Sequence, residues 1–146
     1  FFSVSAAPKI ASSSADLSGH TILIVEDNPL NLKITQKMLE KLGIGHLSAE
    51  DGEKSLLKLQ ENPDVDLILM DCQMPIMDGY EATERIRRDL SLDIPIVALT
   101  AHALESDKQK CLTAGMNDHL TKPASIDELK AKIQKYLGSD LKKVTN

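Results

Sequence analysis

Residues 22–29 (ILIVEDNP) decide the fold: four apolar residues run directly into two adjacent carboxylates, Glu26 and Asp27, and then into Asn28-Pro29. An apolar tetrad belongs in a core, whereas neighbouring acids repel one another unless a cation sits among them. Asn28 reads as a helix N-cap and Pro29 as the first helical position. The stretch is therefore a strand that ends at a charged rim and passes at once into a helix.

Two further runs share the character of this strand. Residues 65–70 and 94–99 are apolar at odd and even positions alike, the pattern of strands covered on both faces and hence of a parallel sheet between helices. Gly45–Ala49 and residues 117–120 are shorter and more polar, as edge strands should be. Helical patterns fill the intervals. Leu30, Ile34, Met38 and Leu42 fall four apart on one face, and Gly43 follows as a stop. Ser125 and Glu128 have the spacing of a capping box ahead of Ile126, Leu129, Ile133 and Leu137. Weaker helices fit residues 52–60, 80–90 and 104–114, the last closed by Gly115. Five strands alternating with five helices give a doubly wound α/β sandwich of three layers.

The 146 residues suffice for one domain with a real core. A net charge of −5 argues against a nucleic-acid surface, and no apolar run approaches the roughly 20 residues that cross a bilayer. Cys72 and Cys111 lack metal-ligand spacing and read as reduced core thiols of a cytoplasmic domain. Residues 1–19 are rich in Ser and Ala without periodicity, the composition of a linker from an upstream region. The domain proper is expected over residues 20–141, with a short tail at 142–146.

The chemistry lies where the strands end. Strand one ends in Glu26-Asp27, strand three in Asp71 and strand four in Thr100, while strand five runs into Lys122. In a parallel sheet the carboxyl ends share one edge, where binding crevices open. Three carboxylates, a hydroxyl and an ammonium thus converge. Clustered acids call for a hard cation such as Mg²⁺, which takes oxygen ligands from one or two carboxylates and from phosphate. The ammonium and the hydroxyl suit phosphoryl oxygens, so the parts make a phosphoryl-transfer site. Asp71, the central acid, is the candidate nucleophile, giving an acyl phosphate, with Glu26 and Asp27 holding the metal.

These residues resemble the receiver domains of two-component response regulators. The likeness rests on ILIVEDNPLN (22–31), LILMDCQMPIMDGYEA (67–82), IPIVALTA (94–101) and GMNDHLTKP (115–123), and covers about residues 20–138. It implies a flavodoxin-like (βα)5 sheet of order 2-1-3-4-5. It makes Asp71 the phosphoacceptor and Glu26, Asp27, Asp71 and the backbone carbonyl of Gln73 the Mg²⁺ ligands. Thr100 would hydrogen-bond the phosphoryl group and Lys122 would pair with it, with a cis bond before Pro123. Gly79 would sit in a tight turn, and a left-handed backbone there would explain the glycine. The family usually carries Tyr or Phe three residues before the lysine. Here that switch position is His119, an imidazole that is smaller, polar and able to titrate near neutrality. Gln73 and His102 occupy the positions expected to tune hydrolysis of the acyl phosphate.

Among receivers, the motifs look most like those attached to hybrid histidine kinases. That implies phosphohistidine donors in a kinase core and a histidine phosphotransfer domain as acceptor. The docking surface would use Asn28, Pro29, Leu30 and Leu32 beside Lys122, Pro123 and Ala124. A monomer in the cytoplasm is expected, without nucleic acid or direct membrane contact, in a parent chain that can be anchored in the inner membrane. The domain itself would catalyse only its own phosphorylation and dephosphorylation. A stand-alone response regulator is the alternative. An aspartyl phosphatase would want a second acid at position 73, where Gln73 stands, and a flavin phosphate would be repelled by Glu26-Asp27.

Overall fold

The computed structural model describes residues 19–74, 77–101, 105–122 and 124–138. Strands β1 (Thr21–Val25), β2 (Gly45–Ala49), β3 (Leu67–Asp71), β4 (Ile96–Thr100) and β5 (Asp118–Thr121) form one sheet in the order β2-β1-β3-β4-β5, every neighbouring pair parallel. The helices between them are α1 (Pro29–Lys41), α2 (Gly52–Glu61), α3 (Gly79–Asp89), α4 (Glu105–Ala114) and α5 (Ile126–Ile133).

Alternation along the strands sorts the core into two layers. Leu23, Val25, Ile68, Met70, Ile96 and Ala98 face α2, α3 and α4 through Leu59, Ile86 and Cys111. Ile22, Ile24, Leu67, Leu69, Val97 and Leu99 face α1 and α5 through Leu39, Leu129 and Ile133. Residues of both parities are buried in β1, β3 and β4, which is why these strands read as continuous apolar runs.

The expected helix ends hold. Asn28 Oδ1 accepts the N–H groups of Leu30 (2.9 Å) and Asn31 (3.1 Å). Ser125 and Glu128 form the reciprocal capping box. Gly43 and Gly115 take φ of +77° and +110°, which only glycine adopts without strain.

Three expectations shift. Strands β3 and β4 begin two residues later than the apolar runs suggest; Pro95, which has no N–H, precedes β4. Helix α5 gives way at Gln134–Gly138 to a π-helical turn, although Leu137 stays buried. The four-residue stripe of α1 is only partly core. Of its four residues Met38 and Leu42 are partly covered, while Leu30 and Ile34 remain 67% and 50% exposed; the helix's buried residue, Leu39, lies outside the stripe. The cap at Asn28 starts the helix on the sheet's rim, so its first turns overhang solvent rather than the core.

Candidate functional site

Each acid is delivered by the end of a buried strand. Glu26 follows β1 directly and is buried, while Asp27 next to it is exposed. Asp71 closes β3 and is also buried. One oxygen from each of Glu26, Asp27 and Asp71 can be chosen so that all three lie within 4.8 Å of one another. The Lys122 ammonium, one residue beyond β5, stands 3.2 Å from Asp71 Oδ1 and 3.5 Å from Glu26 Oε1. Its backbone N–H donates to the Thr100 carbonyl at 2.7 Å, which ties the lysine to the end of β4. Thr100 is buried there.

Backbone donors steady the carboxylates. Asn28 N–H donates to Glu26 Oε2 at 3.2 Å, and Gln73 N–H donates to Asp71 Oδ1 at 3.1 Å. Even so, three acids face one ammonium. Burial, then hydrogen bonding and repulsion from Asp71, raise the Glu26 carboxyl from 4.5 to about 7, against the pull of Asn28 and Lys122. The two carboxylates pull the Lys122 ammonium up, against the opposing effect of its own burial. A group of hard oxygen donors with excess negative charge fits a divalent cation such as Mg²⁺.

The glycine after Asp78 has a different cause from the one expected. Gly79 is the first residue of α3, and its φ is not positive. A side chain there would run into the Asp71 carbonyl oxygen and stand 2.9 Å from Cys72 Cα. Close approach of helix to strand end, not a left-handed turn, demands the glycine. Beside it, burial pushes the Cys72 thiol up to about 12, so at neutral pH it is an uncharged filler of the core. Met77 is buried and Met74 partly so, both against the same layer.

His119 lies half-buried on β5, level with Ala98 of β4 and 3.9 Å from Asp118 Oδ1. His20 and His46 are also partly covered, each beside a carboxylate: Asp66 at 3.5 Å and Glu40 at 3.2 Å. His102 and Pro123 lie outside the described residues, as do residues 1–18 and 139–146. Of the expected docking residues, Asn28, Pro29 and Leu30 are exposed, while Leu32 and Ala124 are partly covered.

The sequence reading missed a groove of 220 Å³ between α1 and α5, lined among others by Ile34, Thr35, Met38 and Leu129 together with Glu26 and Lys122. The signal was present in the cap at Asn28, which places the first turns of α1 directly beside Asp27.

Comparison with known proteins agrees with this geometry. The model of the response regulator receiver domain matches residues 22–134. The chain is 43% identical over 125 residues to the sensor histidine kinase GacS of Pseudomonas protegens, covering 83% of this chain but only 14% of that protein. Among solved structures, the receiver domain of sensor histidine kinase PA1611 of Pseudomonas aeruginosa, with magnesium coordinated in its active-site cleft, superposes with a TM-score of 0.74 at 42% identity, covering 83% of this chain and 99% of that one. The Saccharomyces cerevisiae Ssk1 receiver, solved with the phosphotransfer protein Ypd1, gives 0.76 at 35% identity over 80% and 88% of the two chains. No described helix is long and apolar enough to cross a membrane. Since the match takes in residues 22–134, most of the chain, the chain belongs to the response regulator receiver domain family.

Proposed function

We propose that this chain is the phosphoacceptor receiver of a phosphorelay, with Asp71 as the group that carries the phosphoryl. The observation that carries the reading is the meeting of three carboxylates within 4.8 Å with the Lys122 ammonium 3.2 Å from Asp71, all at the carboxyl edge of the sheet. A carboxylate oxygen of Asp71 attacks phosphorus, the P–N bond of a phosphohistidine breaks, and the imidazole leaves with the electron pair and takes up a proton. Glu26, Asp27, Asp71 and the Gln73 carbonyl would hold Mg²⁺. That cation, when bound, neutralises charge on the phosphoryl oxygens. Lys122 pairs with one of those oxygens, and Thr100 donates its hydroxyl to another. Gln73 and His102 govern access of water to the acyl phosphate, and His119 occupies the switch position.

The magnesium in the Pseudomonas receiver and the Ypd1 partner of the yeast receiver support this assignment by likeness. Because the matched relatives are sensor histidine kinases far longer than this chain, we assign it to the receiver part of a hybrid kinase, acting in the cytoplasm as a monomer. The receiver spans residues 20–141, joined through a linker at 1–19. The partner docks on Asn28, Pro29, Leu30 and Leu32 with Pro123 and Ala124, and an apolar side chain of the partner enters the groove by Ile34. Incubation with acetyl phosphate and Mg²⁺ followed by intact-mass measurement tests the assignment. The wild type should gain one phosphoryl mass, and Asp71→Ala or addition of a chelator should abolish the gain. An unlabelled wild type, or equal labelling of Asp71→Ala, would overturn it.

A further inference from the structure

The turn between β2 and α2 holds none of the residues assigned above, yet it follows a strand bonded to Glu26 and packs on the loop that leaves Asp71. Glu26 N–H donates to the Ala49 carbonyl at the end of β2, at 3.1 Å. The turn that follows is stiff. Buried Asp51 accepts the Lys54 N–H at 2.9 Å, and the buried Ser55 hydroxyl donates to the Gly52 carbonyl at 2.6 Å. Gly52 itself is seated on Met77. A methyl group on its Cα would stand 2.8 Å from both the carbonyl oxygen and Cγ of Met77, and 2.9 Å from its Cβ. A side-chain end could swing away from such a clash; a backbone carbonyl cannot.

Met77 leads in two residues to Gly79, and Gly79 lies against the Asp71–Cys72 peptide. Its N–H donates to the Cys72 carbonyl at 3.1 Å, and it has no room for a side chain on that side. A path thus runs from residue 52 by close approach to Met77, along the chain to Gly79, and by close approach again to the backbone of Asp71.

We propose that Gly52 is a positioning residue for the phosphoacceptor: its bare Cα lets the β2–α2 turn seat Met77, and Met77 sets Gly79 and, through it, the Asp71–Cys72 peptide. The turn also fixes the other half of the cluster through the Ala49 carbonyl, so it sets the spacing between Glu26 and Asp71. That spacing matters because Mg²⁺ demands near-ideal octahedral geometry at about 2.0–2.1 Å from its oxygens. A displacement of a few tenths of an ångström, harmless to a core, spoils such a site. The inference rests on the assignment of the acidic cluster as the cation site.

The test is calorimetric titration of Mg²⁺ into the wild type, Gly52→Ala, Met77→Ala and the double variant, with thermal unfolding recorded alongside. Each single change is expected to weaken Mg²⁺ binding about tenfold, since a small misplacement of reacting groups is costly. The double variant should regain none of the Gly52→Ala loss, because Met77→Ala removes Cγ but leaves the carbonyl oxygen and Cβ that the new methyl group meets. A role in stability alone would lower the melting temperatures and leave Mg²⁺ affinity unchanged in all three variants, and would overturn the proposal. Wild-type affinity in folded Gly52→Ala, or a double variant restored to wild-type affinity, would overturn the proposal. If Gly52→Ala does not fold, unchanged affinity in Met77→Ala overturns it. A wild type that binds no Mg²⁺ would instead remove the cation-site assignment, and this inference with it.

Discussion

Glu26 holds the electrostatic tension of the site, because it is buried next to a second carboxylate with a single lysine between them. Its carboxyl is raised to about 7, above the value of 4.5 in an unfolded chain, so the folded cation-free protein favours the protonated acid. The stability this lends is full below about pH 4.5 and lost as pH rises through about 7. Without divalent cation, Glu26→Gln should therefore be more stable than the wild type at about pH 8, by on the order of 1–3 kcal/mol, and similar to it at about pH 5. Denaturation in chelator at the two pH values checks this; a parallel pH dependence in both proteins would contradict it. At this scale the site was largely legible. Acids at the ends of apolar runs and a lysine after a short strand mark a sheet edge without any coordinates. The cause of Gly79 was not legible, since a left-handed turn and a close backbone approach both ask for a missing side chain.

Helix α1 shows where periodicity stops short. Its four-residue stripe gave the helix and its partly covered Met38 and Leu42, but spacing alone could not say how far the sheet extends beneath its first turns. Leu30 and Ile34 are exposed beside Asp27 and Lys122 because the helix begins at the rim. Leu30→Ser should accordingly change stability by less than about 0.5 kcal/mol, as for an ordinary surface position. The same change should slow phosphoryl exchange with a histidine phosphotransfer protein several-fold. Melting curves and transfer time courses separate the two effects, and a large loss of stability with unchanged transfer would refute the docking assignment. At the other end of the chain, burial alone would push the Asp118 carboxyl up. Hydrogen bonds from Lys132 and Lys135 and from the His119 N–H hold it well below the usual carboxylate range. No periodic pattern announces this tie between β5 and the final helical turns, because it depends on charges brought together by folding.

Over the whole molecule, the sheet's two edges do different work. The carboxyl edge gathers the acids and Lys122, whereas at the amino edge Arg87 gathers backbone. Its guanidinium donates to the carbonyls of Leu92, Ile94 and Gly115 and to the Asn117 side chain, over 2.7–3.0 Å. In the sequence Arg87 is one of two adjacent arginines on a helix, and nothing there distinguishes it from a solvated residue. Arg87→Ala leaves several partly buried carbonyls without their donor and should cost about 2 kcal/mol, with Mg²⁺ affinity of the folded protein unchanged. Denaturation and calorimetry on the same sample check that separation; weakened Mg²⁺ binding without loss of stability would contradict it. The central claim concerns the opposite edge: that Asp71 takes the phosphoryl group and needs a divalent cation to do so. Borohydride reduces an aspartyl phosphate to homoserine, so peptide mapping after treatment with acetyl phosphate locates the acceptor directly. Reduction should mark position 71 alone, and only when Mg²⁺ is present. A mark at any other acid, or an equal mark at Asp71 in the presence of chelator, would contradict the account.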